Sequence, residues 1–311
     1  MKTAHTTEKI HKFLIAKQHA VLGSIKQLTE GNVAQALYFE NEQGDKLVLR
    51  IAPKDEEFLR DQYAFEKFGQ LLPIPRVREI GRFDASSFFC ISDYIEGTPS
   101  NSLEQAVIDD MEDEILGIYA KLYKIDISGT SGYGPLDVVT GNGYSPSWRQ
   151  RLLDDVSDLD ADIFQTHAKN IGIDEALVDK LILQVKDNLD AAPETRWLIH
   201  GDPGFDNMLI QNGKVTALID WAWVGYGDWM YDFSKFNFWW PGRHGDKHAF
   251  ASTYNLDDKS LDQREALYWA TTALGTIRFA DLFKNDSTAK WLRQHLPERV
   301  VSLKPDEQGK L

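Results

Sequence analysis

The sequence predicts an α+β fold in two parts, a small sheet-rich N-terminal unit and a larger, mostly helical C-terminal unit. Three observations predict it. Up to about residue 95 the chain carries short apolar runs with strand-like patterning, separated by turn residues. Beyond that point apolar residues recur every three to four positions over long segments. One short β-island, residues 197–219, interrupts the helical pattern. The composition shift near residue 95 sets the expected boundary, giving units 1–95 and 96–311.

The elements follow in order. Residues 5–22 have helical spacing, with Ile10, Phe13, Leu14 and Val21 on one face. Thr29-Glu30-Gly31-Asn32 is a loop with a single glycine. Gln35 to Phe39 and Leu47 to Ile51 flank the polar turn Asn41-Glu42-Gln43-Gly44-Asp45 and read as a β-hairpin. A charged helix over 55–70 carries Phe58, Ala64, Phe65 and Phe68. It stops at Leu72-Pro73-Ile74-Pro75, because neither proline can continue it. Strands are expected around 76–80 and 88–94, before Glu96-Gly97-Thr98-Pro99 breaks the pattern. Helices are expected over 102–124, 147–159, 174–190 and 261–283. In the β-island, Trp197-Leu198-Ile199 leads into a loop. A hairpin then turns at Gln211-Asn212-Gly213-Lys214, where Asn-Gly tolerates the positive φ that a tight turn requires. The polar tail from Lys304 to Leu311 is expected to fray.

Composition narrows the function classes. The 311 residues are 42% apolar and 26% charged, an ordinary globular balance. The single cysteine, Cys90, excludes an intrachain disulfide, and no Cys/His cluster has the spacing of a structural zinc site. The polar N-terminus and the lack of a long apolar run imply a cytoplasmic protein with no membrane partner. With 34 basic against 48 acidic residues the net charge is −14, which argues against a nucleic-acid partner and suits a cationic small molecule. The sequence leaves the oligomeric state open.

Chemistry concentrates in His200-Gly201-Asp202-Pro203-Gly204-Phe205-Asp206-Asn207, then the hairpin, then Ile219-Asp220-Trp221. Phosphoryl transfer needs a carboxylate that orients the attacking hydroxyl, and oxygen ligands for a cation that neutralises charge on the transferred group. Asp202 fits the first role. Asn207 and Asp220, carried by the two strands of one hairpin, fit the second, and an oxygen-only set suits Mg²⁺. Gly-Asp-Pro-Gly alone is ordinary turn chemistry. The ordered set of strand, His-Gly-Asp, Asn, hairpin and Asp-Trp is far more specific.

This set resembles the catalytic and metal-binding motifs of the aminoglycoside phosphotransferase and choline kinase group. The resemblance runs over nearly the whole chain. Within the group, Leu72-Pro73-Ile74-Pro75, Ile80-Gly81-Arg82-Phe83, Cys90-Ile91-Ser92, Thr130 to Pro135, Trp148-Arg149 and Thr216 to Trp221 point toward the kinases of aminocyclitol antibiotics. The resemblance implies a two-lobed protein-kinase-like fold, ATP or GTP as phosphate donor, and Mg²⁺. It implies Asp202 as catalytic base, Asn207 and Asp220 as metal ligands, and His200 as a brace for the loop. A strand cation should meet the phosphates. Arg50 stands there in place of the commoner lysine, with Asp61 as its helix partner or Glu57 one turn earlier. The loop at Gly31 would cover the triphosphate, and the Asp93 carbonyl and Ile95 N–H would bind the base edge. Asp228 would buttress the catalytic loop. Phe236, Phe238, Trp239 and Trp240 are either core or acceptor cleft. Asp154, Asp155, Asp158, Asp160 and Asp162 are either a solvated face or contacts to a cationic acceptor. The resemblance implies a hydroxyl of an aminoglycoside or aminocyclitol as the acceptor. Choline, a thio-sugar or homoserine is the metabolic alternative, and a nucleotide-binding pseudokinase the alternative of another class.

Overall fold

The computed structural model describes residues 5–28, 34–240 and 245–302, without the side chains of Asp158, Val301 and Ser302. Gly31 and the tail from Lys304 to Leu311 lie outside the described residues. The chain runs α1 (Thr7–Gln18), β1 (Lys26–Gln27), β2 (Gln35–Glu40), β3 (Lys46–Ala52), α2 (Glu56–Phe68), β4 (Val77–Asp84), β5 (Ser87–Asp93) and β6 (Thr98–Pro99). It continues with α3 (Gln105–Asp110), α4 (Glu112–Tyr123), β7 (Tyr133–Leu136), β8 (Gly143–Ser145), α5 (Trp148–Asp155), α6 (Ala161–Asn170), α7 (Glu175–Asn188) and β9 (Trp197–Ile199). After the catalytic-loop segment come β10 (Met208–Gln211), β11 (Lys214–Leu218), β12 (Gly225–Gly227), α8 (Trp229–Trp239), α9 (Lys247–Tyr254), α10 (Leu261–Leu282) and α11 (Asp286–Ser302).

Two compact units form. One comprises Met1–Leu122, Val138–Thr140 and His200–Val224; the other comprises Tyr123–Asp137, Gly141–Ile199 and Gly225–Leu311. Strands give way to helices near residue 95 inside the first unit, and the segment carrying Asp202, Asn207 and Asp220 belongs to that unit too.

In the first unit a five-stranded antiparallel sheet has the order β1-β2-β3-β5-β4. Period-two patterning decides which face is covered. Leu37, Phe39, Leu47, Leu49, Ile51, Phe89 and Ile91 bury against Ile10 and Leu14 of α1. Thr6 caps α1 by accepting from Lys9 N at 3.3 Å. Arg50 lies near Phe58 of α2, its guanidinium 5.1 Å from the ring centroid. A second, smaller sheet, β11-β10-β6, pairs the β10–β11 hairpin with the segment leaving β5. Asn212 and Gly213 turn that hairpin at φ 52° and 70°, as the Asn-Gly signal predicts.

In the second unit α10 packs against α6, α7, α8 and α11. A four-stranded sheet, β8-β7-β12-β9, orders β9, the strand that leads into the His200–Asn207 loop. β9 therefore does not share a sheet with the hairpin that follows it, although the two adjoin in sequence. The helix expected over 102–124 is broken at Met111 into α3 and α4, and α6, α8, α9 and α11 were not anticipated. Among the described residues no helix is long and apolar enough to cross a membrane.

Asp228 caps α8, accepting from Met230 N at 3.1 Å, and forms a buried ion pair with Arg264. Tyr268 Oη donates to Asp228 at 2.6 Å and accepts from Trp148 Nε1 at 2.9 Å. Asp228 lies one residue beyond β12, which pairs with β9, so the network anchors the end of that sheet. Asp228→Ala strips the buried Arg264 guanidinium of its closest carboxylate and leaves it the longer contact to Asp257 and the carbonyls of Asp257 and Lys259. A loss of about 3–5 kcal/mol in a urea unfolding curve is the expected outcome.

Candidate active site

The candidate catalytic loop is built from buried anchors and left-handed turns. His200 is fully buried, its Nε2 lies 3.2 Å from Ile219 O, and its ring is 4.6 Å from that of Trp221. It braces the loop against the strand that carries Asp220. Gly201 has φ +81°, and a Cβ there would lie 2.3 Å from Trp223 O, so both conformation and space require glycine. Downstream, Phe205 is 1% exposed, and its carbonyl accepts from Ser100 Oγ at 2.5 Å. Asp202 is held between these anchors, half-buried, and its carbonyl accepts from Gly204 N at 2.9 Å and Asn207 Nδ2 at 3.0 Å.

That second bond orients Asn207. Because Nδ2 is committed to the loop backbone, Oδ1 is turned away from it and is the atom left for a cation. Ile219 N donates to Asn207 O at 2.9 Å, continuing the β10–β11 ladder by one step. Asn207 and Asp220 therefore emerge at the same end of the hairpin. Asp220 has φ 62°, a left-handed conformation that costs a non-glycine residue about 1–3 kcal/mol and persists where surroundings over-determine it. Asp220 is exposed as a residue, yet protein surrounds it closely enough to cost its charge hydration. Enclosure, then the negative charges of Asp61 and Asp202, push its pKa up to about 7. Carboxylates gathered this closely, with Arg50 the cation paired to Asp61, are an environment that a further cation relieves.

Among the described residues no group of three His, Cys, Asp and Glu is placed to hold a metal alone. One carboxylate and one amide oxygen suit a cation that takes its other ligands from phosphate and water, as Mg²⁺ does.

Arg50 and Asp61 are brought together: Arg50 Nη2 donates to Asp61 Oδ2. Burial opposes the charge on Arg50, and the Asp61 carboxylate outweighs it, so the guanidinium pKa is raised. Glu57 forms no ion pair with Arg50 among the described residues, and burial raises its pKa. The shorter acid is the partner of the longer cation. Asp93 N donates to Arg76 O at 2.9 Å, and the Asp93 carboxylate accepts from Arg78 Nε. The Ile95 N–H has no hydrogen-bond partner among the described residues.

Beside this connection lies a cleft of about 770 Å³, lined by Tyr38, Lys46, Tyr94, Glu96, Ile210 and Asn212 among others. Asp202 and Asp220 are not in its wall. The cleft flanks the tip of the β10–β11 hairpin and the two aspartates its root. Thr216 Oγ1 ties the hairpin to the connection, donating to Glu96 O at 2.9 Å.

The remaining candidates divide. Phe236 and Phe238 are core, and Trp239 is half-buried with its ring 4.8 Å from that of Trp291. Asp155 pairs with Arg151, Asp154 accepts from Gln150, and Asp160 caps α6, so these acids serve their own helices. The sequence reading missed Arg60 and Trp223. Arg60 is 8% exposed and donates from Nη1 to Ala222 O at 2.9 Å. Trp223 is 53% exposed against Gly201, next to Asp202. No local signal marks Arg60, whose partner is far away in sequence. The Trp221-Ala222-Trp223 alternation is the sequence signal that marks Trp223.

The model of the phosphotransferase enzyme family matches residues 24–275. Hygromycin-B 4-O-kinase of Escherichia coli is 32% identical over 240 residues, 76% of this chain and 68% of that protein. The crystal structure of aminoglycoside phosphotransferase APH(4)-Ia is similar at 26% identity with a TM-score of 0.79, over 96% of this chain and 100% of that one. A thermostable mutant of the same protein, in ternary complex with AMP-PNP and hygromycin B, gives 27% and 0.78, over 94% and 98%. The expected α+β, two-lobed protein-kinase-like fold is the fold found. By sequence and by structure, the chain belongs to the phosphotransferase enzyme family.

Proposed function

We propose that the protein transfers the terminal phosphate of ATP or GTP to a hydroxyl of an aminoglycoside or aminocyclitol antibiotic, with hygromycin B the first acceptor to try, and so confers resistance. The observation that carries this is the meeting of Asp202, Asn207 and Asp220 around one hairpin in a chain 32% identical to a hygromycin B kinase. Asp202 orients the acceptor hydroxyl and takes its proton as the bond to phosphorus forms and the bond to the leaving diphosphate breaks. Asn207 Oδ1 and the Asp220 carboxylate hold Mg²⁺, which when bound neutralises charge on the transferred phosphate. Arg50, fixed by Asp61, meets the other phosphates as a planar, bidentate donor. The cleft at the hairpin tip takes the base, with the Ile95 N–H among its donors. The reaction belongs in the cytoplasm, where its nucleotide donor is made. A cationic amino-sugar suits the acidic cluster and the net charge of −14.

Incubation with Mg²⁺ and ATP or GTP, an acceptor library that includes hygromycin B, choline and homoserine, and mass spectrometry of the products is the test. An added phosphate on an aminocyclitol is expected. Phosphorylation of choline or homoserine alone would assign a metabolic kinase, and nucleotide binding without any product would assign a regulator.

A further inference from the structure

Asp220 holds a left-handed backbone, and its surroundings show what keeps it there. On its N-terminal side the Ile219 peptide is fixed by Asn207 O and His200 Nε2. On its C-terminal side two consecutive residues of α2 reach the same turn. Asp61 Oδ1 accepts from Trp221 N at 2.8 Å, and Arg60 Nη1 donates to Ala222 O at 2.9 Å. Val224 N closes the turn onto Trp221 O at 3.0 Å. Both α2 side chains are buried, Arg60 at 8% and Asp61 at 6% exposure. Arg60 is itself steadied by Glu56, 2.7 Å from its Nη2. The second carboxylate oxygen of Asp61 takes Arg50. One acid thus touches both the cation assigned to phosphate and the peptide that follows the residue assigned to metal.

We propose that Arg60 and Asp61 form a two-point positioning clamp. It holds the 221–222 peptides so that Asp220 keeps its cation-binding conformation, and through Asp61 it links that turn to Arg50. The inference rests on the reading of Asp220 as a metal ligand. Both clamp residues act through the protein, on the turn and on Arg50, and are positioning residues. A hydrogen-bond donor and an acceptor on adjacent peptides fix both the position and the rotation of the turn, which one bond alone would not do. Metal affinity and nucleotide affinity then respond to different halves of the clamp. Arg60 acts on the metal side only, whereas Asp61 acts on both.

The test uses the full chain, AMP-PNP as a nucleotide that does not turn over, and Mn²⁺ as the cation. Mn²⁺ affinity of the AMP-PNP complex is read by electron paramagnetic resonance, and protection of the Trp221 amide by residue-resolved hydrogen exchange. Arg60→Met keeps the apolar stem and removes the donor. It is expected to weaken Mn²⁺ binding by about tenfold, as loss of one charge-assisted hydrogen bond would, while metal-free AMP-PNP affinity stays within about twofold. Arg60→Lys retains a single donor and recovers part of the affinity; it carries the same test if the methionine variant does not fold. Asp61→Asn keeps an oxygen for Trp221 N–H and loses the charge, so Trp221 protection persists while metal-free AMP-PNP binding weakens. Asp61→Ala loses both. Unchanged Mn²⁺ affinity in the Arg60 variants, or full Trp221 protection in Asp61→Ala, overturns the clamp. The parent reading fails differently: in that case Asp220→Asn would leave Mn²⁺ affinity as it is in the wild type.

Discussion

Asp202→Ala loses about 10²–10⁴-fold in kcat, the contribution of a positioned general base, and keeps its affinity for AMP-PNP. The split follows from where Asp202 sits. Its backbone, not its carboxylate, accepts the bonds from Gly204 N and Asn207 Nδ2 that organise the loop. Truncating the side chain therefore leaves Asn207 oriented and the hairpin intact. The acceptor hydroxyl loses the group that aligns it and takes its proton. Steady-state turnover with the best acceptor, together with calorimetric titration of AMP-PNP, checks both halves. Turnover unaffected by the substitution removes Asp202 from the mechanism. Lost AMP-PNP binding would mean the side chain is structural.

Asp220→Asn slows transfer for a different reason and changes stability in the opposite sense to most active-site losses. Turnover is expected to fall by about a thousandfold, as several kcal/mol of charge neutralisation at the transferred phosphate are lost. The metal-free protein, however, becomes more stable at neutral pH. The folded-state pKa of Asp220 is about 7, against an ordinary value of 3.8. Folded protein thus binds a proton there more tightly than unfolded protein. The stabilisation from this group is complete below about pH 4 and is lost as pH rises through 7. Asparagine does not titrate, so the variant lacks that decline. Thermal melts without metal between pH 4 and pH 8 should show the wild type losing ground to Asp220→Asn as pH rises. Parallel pH profiles would contradict the electrostatic account of the site.

Much of this was legible before any coordinates. The N-terminal sheet declares itself because Leu37, Phe39, Leu47, Leu49 and Ile51 fall at every second position of their strands and bury one face. The Asn212-Gly213 turn does so because few residues tolerate its positive φ angles. His200, Asp202, Asn207 and Asp220 were found from the chemistry their order permits. What stayed hidden is tertiary. Strands β7 and β12 are too short and glycine-rich to alternate, and they exist through pairing with each other and with β8 and β9. Arg60 reads as a solvated helix residue until Ala222, 162 positions on, is brought beside it. The choice between Asp61 and Glu57 depended on which face of α2 meets β3, and that is set by the burial of Phe58, Ala64 and Phe68.

The central claim is that Asn207 and Asp220 share one divalent cation beside Asp202. A crystal structure of the full chain with AMP-PNP and Mg²⁺ measures it directly. Asn207 Oδ1 and an Asp220 carboxylate oxygen are expected at about 2.0–2.1 Å from the ion, with the Asp202 carboxylate facing the terminal phosphate. An ion held by other side chains, or an Asp202 carboxylate turned away from that phosphate, would contradict it.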